Sequence, residues 1–246
     1  MADFTHHQGD LRYSIIHDIT IPVQKPSPAH LLRASEALAI FVVLPLLNRG
    51  TLRVPPVAAL AALGAYIGTV LTVDREFRPY EHRNERALVT HAPWVLAKFI
   101  GTGLFTAAVI RAVTPEEFLR DVRERPRALA RELTLYWTLS VIPQELLYRT
   151  FFYHRYQPYL PSHALLLMNA AAFGFAHVIF KNTVAPLLTF GAGLLFAHSY
   201  ERHRSLPLVS LEHALYGGLI FALGLGKYFT FGEVDRSAPT LGAAEA

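Results

Sequence analysis

Apolar residues run along the chain in long blocks broken by short, densely charged intervals, the pattern expected where lipid is the solvent for part of a chain. Crossing about 30 Å of hydrocarbon takes about 20 mostly apolar residues in a helix. Val54 to Val73 meets that requirement without one charge, and Ala92 to Ile110 meets it with Lys98 as its sole interruption. Leu31 to Leu47 carries Arg33 and Glu36 in its first turns, and Leu133 to Phe152 carries Gln144, Glu145 and Arg149 near its end. Ala164 to Phe180 holds His177, Thr183 to Ala197 follows after a tight connection, and Leu206 to Leu225 holds Glu212 and His213. The pattern predicts an all-α, polytopic transmembrane helix bundle of about seven spans over residues 31–230. A polar N-terminal tail over 1–30 and a flexible tail over 231–246 flank it.

The interval from Arg111 to Glu132 mixes six Arg with Glu116, Glu117, Asp121, Glu124 and Glu132. Thr114 followed by Pro115, Glu116 and Glu117 reads as a helix start: a capping hydroxyl, a proline at the first position, then acids in the first turn. It predicts a helix lying at the membrane interface or, equally, a solvated loop helix. Composition agrees with membrane insertion: 52% of the 246 residues are hydrophobic, 17% are charged, and mean hydropathy is +0.27. The net charge of +4 comes from Arg between apolar blocks, which forms no continuous basic face for nucleic acid. The absence of cysteine excludes disulfides, thiolate metal sites and a Cys nucleophile. Residues 1–30 contain four His and no apolar core of signal-peptide length. Insertion is therefore expected to begin at the first span, as in a bacterial-type inner membrane. Lys and Arg are shared evenly between alternate loops and do not orient the bundle.

Ionisable groups inside spans cost several kcal/mol each and are functional candidates by default. Glu145 and Arg149 are four residues apart and share a helix face, where they can form a fixed pair or simply lock two helices together. Gln144 and Tyr148 lie about 100° round from them. Phe173 and His177 share a face of a second span, with Gly174 and Ala176 permitting close helix approach. Glu212 and His213 begin the segment Glu212-His213-Ala214-Leu215-Tyr216-Gly217 in a third. A lone His in an apolar helix is commonly a hydrogen-bonded packing residue. One acid and two imidazoles on three spans, however, must converge in the bundle interior. A carboxylate with a His can hold and deprotonate a water, and a second His can donate to an oxyanion.

Gln144-Glu145-x-x-x-Arg149, Phe173-x-x-x-His177 and His213-x-x-x-Gly217, in that order and each on its own span, resemble the signature of the CAAX protease and bacteriocin-processing family of intramembrane endopeptidases. These are relatives of the CAAX prenyl endopeptidases. The resemblance covers roughly 130–225. It implies a peptidase of glutamic type in which Glu145, His177 and His213 are catalytic: Glu145 with His177 activates water, and His213 stabilises the oxyanion. Arg149, Gln144, Phe173 and Tyr216 are implied as supporting residues. Two positions depart from the pattern. The family's first Glu is Gln144, which has no proton-accepting form near neutral pH, so either Glu145 takes over as base or the protein does not hydrolyse peptides. The family's oxyanion-side Asn is Gly217, whose work could pass to a backbone N–H or to Tyr216.

The expected partners are the lipid bilayer and a membrane-associated protein or peptide substrate, with no nucleic acid. No cofactor is expected. One alternative uses Glu145, His177 and His213 as a three-ligand zinc set, although no His-Glu-x-x-His helix is present. Another, motivated by Gln144 and Gly217, is a non-catalytic family member acting as scaffold or immunity factor. A proton-coupled transporter is a further possibility, but no repeat symmetry accompanies the buried groups.

Overall fold

A computed structural model describes residues 27–231. The expected tails over 1–30 and 231–246 lie almost wholly outside the described residues. Helices α1 (Pro28–Leu52), α2 (Pro56–Val73) and α3 (Glu85–Val113) are followed by a short α4 (Arg120–Glu124). Then come α5 (126–156), α6 (Ser162–Phe180), α7 (Val184–His203) and α8 (Leu206–Ala222). No strand interrupts them among the described residues, apart from one isolated bridge between Arg83 and Ser205. The chain is an all-α, multi-pass membrane bundle. Each expected span has a helix, and α1, α2, α3 and α6 are long and apolar enough to cross a membrane. α8 is shorter, with 17 residues.

Local chemistry sets the helix starts. Ser27 accepts the His30 N–H with Pro28 at the first position of α1, Asn84 caps α3 through Ala87 N–H at 3.2 Å, and Ser205 caps α8 through Leu208 N–H at 3.3 Å. The Ser205 hydroxyl also donates to the Asn84 carbonyl at 2.7 Å, which joins the α2–α3 and α7–α8 turns. Pro45 and Pro143 sit inside α1 and α5, and each is preceded by a π-helical turn, Ala39–Val43 and Trp137–Val141. A proline ring collides with the carbonyl four residues back and removes one hydrogen bond. A wider turn accommodates both effects inside a helix. A second π turn in α5, Leu146–Phe151, follows Glu145 directly and carries Arg149.

The charged interval does not form one continuous helix from Thr114: only the short α4 and the start of α5 at Pro126 are helical. Thr114 closes α3, its N–H bonded to the Ile110 carbonyl, and turns carry the chain to Leu119 in the left-handed region. Arg125 is bent out of helical geometry ahead of Pro126, because a residue before proline is disfavoured in the α region. Its charges pair among themselves, Arg125 with Asp121 at 2.9 Å and Arg120 with Glu124 at 3.2 Å, and Glu117 pairs with Lys227 near the C-terminal end of the described chain at 3.2 Å.

Lipid-length faces of the outer helices carry bare apolar side chains such as Val89, Trp94, Ile100, Leu104 and Phe105. The packed core instead gathers on α5, where Leu147, Tyr148, Phe151, Phe152, Tyr153 and Tyr156 meet Phe41, Ile67, Phe173 and Phe196. Glu36, in the first turns of the first span, is held by Arg155 of α5 at 3.0 Å and by the Tyr66 hydroxyl at 2.8 Å. α6 and α7 pack closely because Gly174 lets Phe190 approach: a Cβ there would stand 2.9 Å from that of Phe190.

In the α2–α3 connection, His82 stacks between Phe77 and Tyr200 and hydrogen-bonds the Tyr200 hydroxyl at 2.5 Å. Burial, aided by the His154 and Arg204 charges, pushes its imidazole down to about 4. The unfolded chain therefore binds this proton first, so the stability present above pH 6.5 is lost as pH falls toward 4. The melting temperature of detergent-solubilised protein is expected to fall over that window, and to fall less steeply in His82→Phe. Parallel profiles for the two proteins would refute this role for His82.

Candidate active site

The site is built on the middle of α5. Pro143 and its π turn interrupt the regular ladder ahead of Gln144 and Glu145, and the second π turn then sets Arg149 behind them. Glu145 and Arg149 are both without exposed surface, and Arg149 Nε lies 3.1 Å from Glu145 Oε2. On the other side, Glu145 Oε1 accepts from His213 Nδ1 of α8 at 2.8 Å. The guanidinium packs over the rings of Phe173 and Phe196, at 5.4 Å and 5.9 Å from their centroids, a cation–π arrangement favoured in a dry interior. Arg149 Nη1 also donates to the side-chain oxygen of Asn169, whose amide donates to the Tyr148 carbonyl. One buried network thus joins α5, α6 and α8. Both readings of the Glu145–Arg149 spacing hold together: the pair is fixed, and it locks helices.

Both imidazoles meet Phe173 edge-on, with ring centroids 5.1 Å away for His177 and 5.5 Å for His213. His177 stands where α6 tightens into a 3-10 turn, and its Nδ1 lies 2.7 Å from the Phe173 carbonyl that the tightening releases. A carbonyl only accepts, so the proton is on Nδ1 and Nε2 keeps its lone pair. For His213, whose Nδ1 faces Glu145 Oε1, the tautomer with the proton on Nδ1 leaves Nε2 as the free acceptor. His213 is held in place by Phe196, stacked at 4.9 Å.

An open cavity of about 2370 Å³ runs through the bundle, and Gln144, Phe173, His177, His213 and Tyr216 line it. Glu145 is not among its walls. The carboxylate meets the cavity only through His213, a placement the motif spacing does not convey. Gln144 donates to the Ser140 hydroxyl at 2.6 Å. The Tyr216 hydroxyl accepts from Thr102 of α3 at 3.0 Å, and its ring packs edge-on against Phe99, which ties it to α3. All seven residues implied by the motifs therefore lie in or directly behind one cavity wall.

Sequence reasoning passed over four contributors. Asn169 completes the Arg149 shell, Phe196 fixes His213, and Tyr136 of α5 reaches the cavity beside His213, with rings 6.0 Å apart. Lys98 pairs with Glu212 of α8 at 2.9 Å. That last pair had a signal: a single cation and an unpaired acid, each isolated in its own span. No group of three or more His, Asp and Glu side chains placed to hold a metal ion is present among the described residues; the two Glu145 oxygens face His213 and Arg149.

A multi-pass helical membrane protein with a buried carboxylate–imidazole pair on a large intrabundle cavity is the class that fold and site define. Residues 126–219 match the model of the Type II CAAX prenyl endopeptidase Rce1-like family. The match spans α5 through most of α8 and takes in all three motifs, which bears out the resemblance read from them. By its description, that family is one of endopeptidases. No curated protein and no solved structure matches the chain.

Proposed function

We propose that the protein is an intramembrane endopeptidase, hydrolysing peptide bonds of a membrane-associated protein or peptide, in which Glu145 acts through His213 as base instead of activating water directly as a glutamic-type peptidase would. The observation that carries the reading is the hydrogen bond of 2.8 Å between Glu145 and His213, enclosed on the carboxylate side and open to the cavity on the imidazole side. His213 Nε2 takes a proton from a cavity water as the water oxygen bonds to the scissile carbonyl carbon. The carbonyl π pair moves onto its oxygen, while Glu145 holds Nδ1–H and stabilises the imidazolium. Collapse of the tetrahedral intermediate breaks the C–N bond, and the imidazolium proton goes to the leaving amine. His177 Nε2 orients the same water, and Arg149 fixes Glu145. Glu145 thus acts through His213, which accommodates Gln144 in place of a second carboxylate.

The reading routes no step through a metal. We propose a bacterial-type inner membrane as its location, which membrane fractionation of the native host tests. The cleavage test uses protein reconstituted in lipid nanodiscs and a library of membrane-anchored peptides, with and without a prenylated C-terminal cysteine. Cleavage that survives chelator and is lost in Glu145→Gln and His213→Gln supports the proposal. Loss on chelator treatment with recovery on zinc would replace it with metal-dependent hydrolysis. A wild-type protein that cleaves nothing, while Glu145→Gln leaves its cellular phenotype intact, would make it a scaffold or immunity factor.

A further inference from the structure

The hydrolytic reading leaves one chemical requirement unfilled. Both imidazoles present lone pairs to the cavity: His177 spends its proton on the Phe173 carbonyl and His213 spends its own on Glu145. Two acceptors can position and deprotonate water, but neither stabilises negative charge on the former carbonyl oxygen. A donor must stand beside His213 for that.

Gly217 follows His213 by one turn of α8 and shares its face. A Cβ built on Gly217 would overlap the Tyr136 hydroxyl and stand 2.5 Å from its Cζ and 2.7 Å from its Cε1. The hydroxyl of α5 therefore fills the space that a side chain at 217 would need. Tyr136 and Gly217 both line the cavity, and the Tyr136 ring meets the His213 ring edge-on at 6.0 Å. Tyr216, the neighbouring residue, is tied to the α3 side through Thr102 and Phe99 and does not occupy the space beside Gly217. A phenol is a good donor that stays protonated at neutral pH. The glycine reads as a cleared position and the tyrosine as what it was cleared for.

We infer that Tyr136 is a catalytic residue whose hydroxyl donates a hydrogen bond to the oxyanion of the tetrahedral intermediate, in a space that Gly217 keeps open. The inference rests on the endopeptidase reading above. As the π pair of the scissile carbonyl moves onto oxygen, Tyr136 O–H shortens its hydrogen bond to that oxygen without giving up the proton. The bond relaxes when the C–N bond breaks and the carbonyl re-forms.

Tyr136→Phe keeps the ring against His213 and Phe221 and removes only the donor. With the best-cleaved member of the peptide library, kcat is expected to fall about 10²–10³-fold, with KM and thermal midpoint near wild type, because the lost interaction belongs to the transition state. A second pair of variants replaces the donor. Tyr136→Ala empties the space, and Tyr136→Ala with Gly217→Asn returns an amide donor to it from α8; the double variant is expected to cleave faster than Tyr136→Ala. Wild-type kcat in Tyr136→Phe, or no gain in the double variant, overturns the role of Tyr136 while His213→Gln still abolishes cleavage. If His213→Gln cleaves like wild type, or the wild type cleaves no peptide, the endopeptidase reading falls and the inference falls with it.

Discussion

Replacing Arg149 with methionine is expected to cost about 3–5 kcal/mol of stability, the usual effect of breaking a fully buried ion pair by deleting one partner. Arg149 and Glu145 have no exposed surface, so water cannot take over from the guanidinium. The substitution leaves the Glu145 carboxylate unpaired on one side, deprives Asn169 of its partner and removes the cation from over Phe173 and Phe196. The damage would spread from α5 to α6 and α7, which meet at this side chain, and to α8 through Glu145. Thermal unfolding of detergent-solubilised protein measures it. A melting temperature within a degree or two of wild type would mean that the pair is not enclosed as described.

His213→Gln should separate chemistry from folding. Glutamine is shorter than the imidazole in reach but keeps an amide donor for Glu145, and the Glu145–Arg149 pair remains intact. What it lacks is an acceptor able to carry a proton at neutral pH. The expected result is a fall in kcat of about 10²–10⁴-fold, the range for losing a positioned general base, in a protein that unfolds near the wild-type temperature. A variant that both unfolds early and loses cleavage in proportion would assign His213 a structural role only.

Spans α2 and α3 were legible in the sequence because long apolar runs with at most one charge have few alternatives to lipid burial or a helix. The convergence of Glu145, Arg149, His177 and His213 was legible for a related reason: groups that cannot face lipid must find one another inside the bundle. Three things were not. The interval after Thr114 reads as a helix from its cap and acids, yet the left-handed Leu119 and the Arg125–Pro126 junction break it, and the spacing of acids alone cannot foresee either. The orientation of Glu145 depends on two π turns in α5; Pro143 announces a disturbance of the ladder but not its geometry. Tyr136 carries no signal in its own surroundings, since its meaning comes from a glycine on another helix.

The central claim is that Glu145 and His213 act as one unit, the carboxylate through the imidazole. Initial cleavage rates of reconstituted wild type, Glu145→Gln, His213→Gln and the double variant test it, with thermal unfolding run on each to establish that it is folded. Groups that act as a unit are strongly non-additive, so the account predicts that the double variant is no slower than His213→Gln alone. Losses that multiply in the double variant, or a His213→Gln protein that cleaves at the wild-type rate, would contradict it.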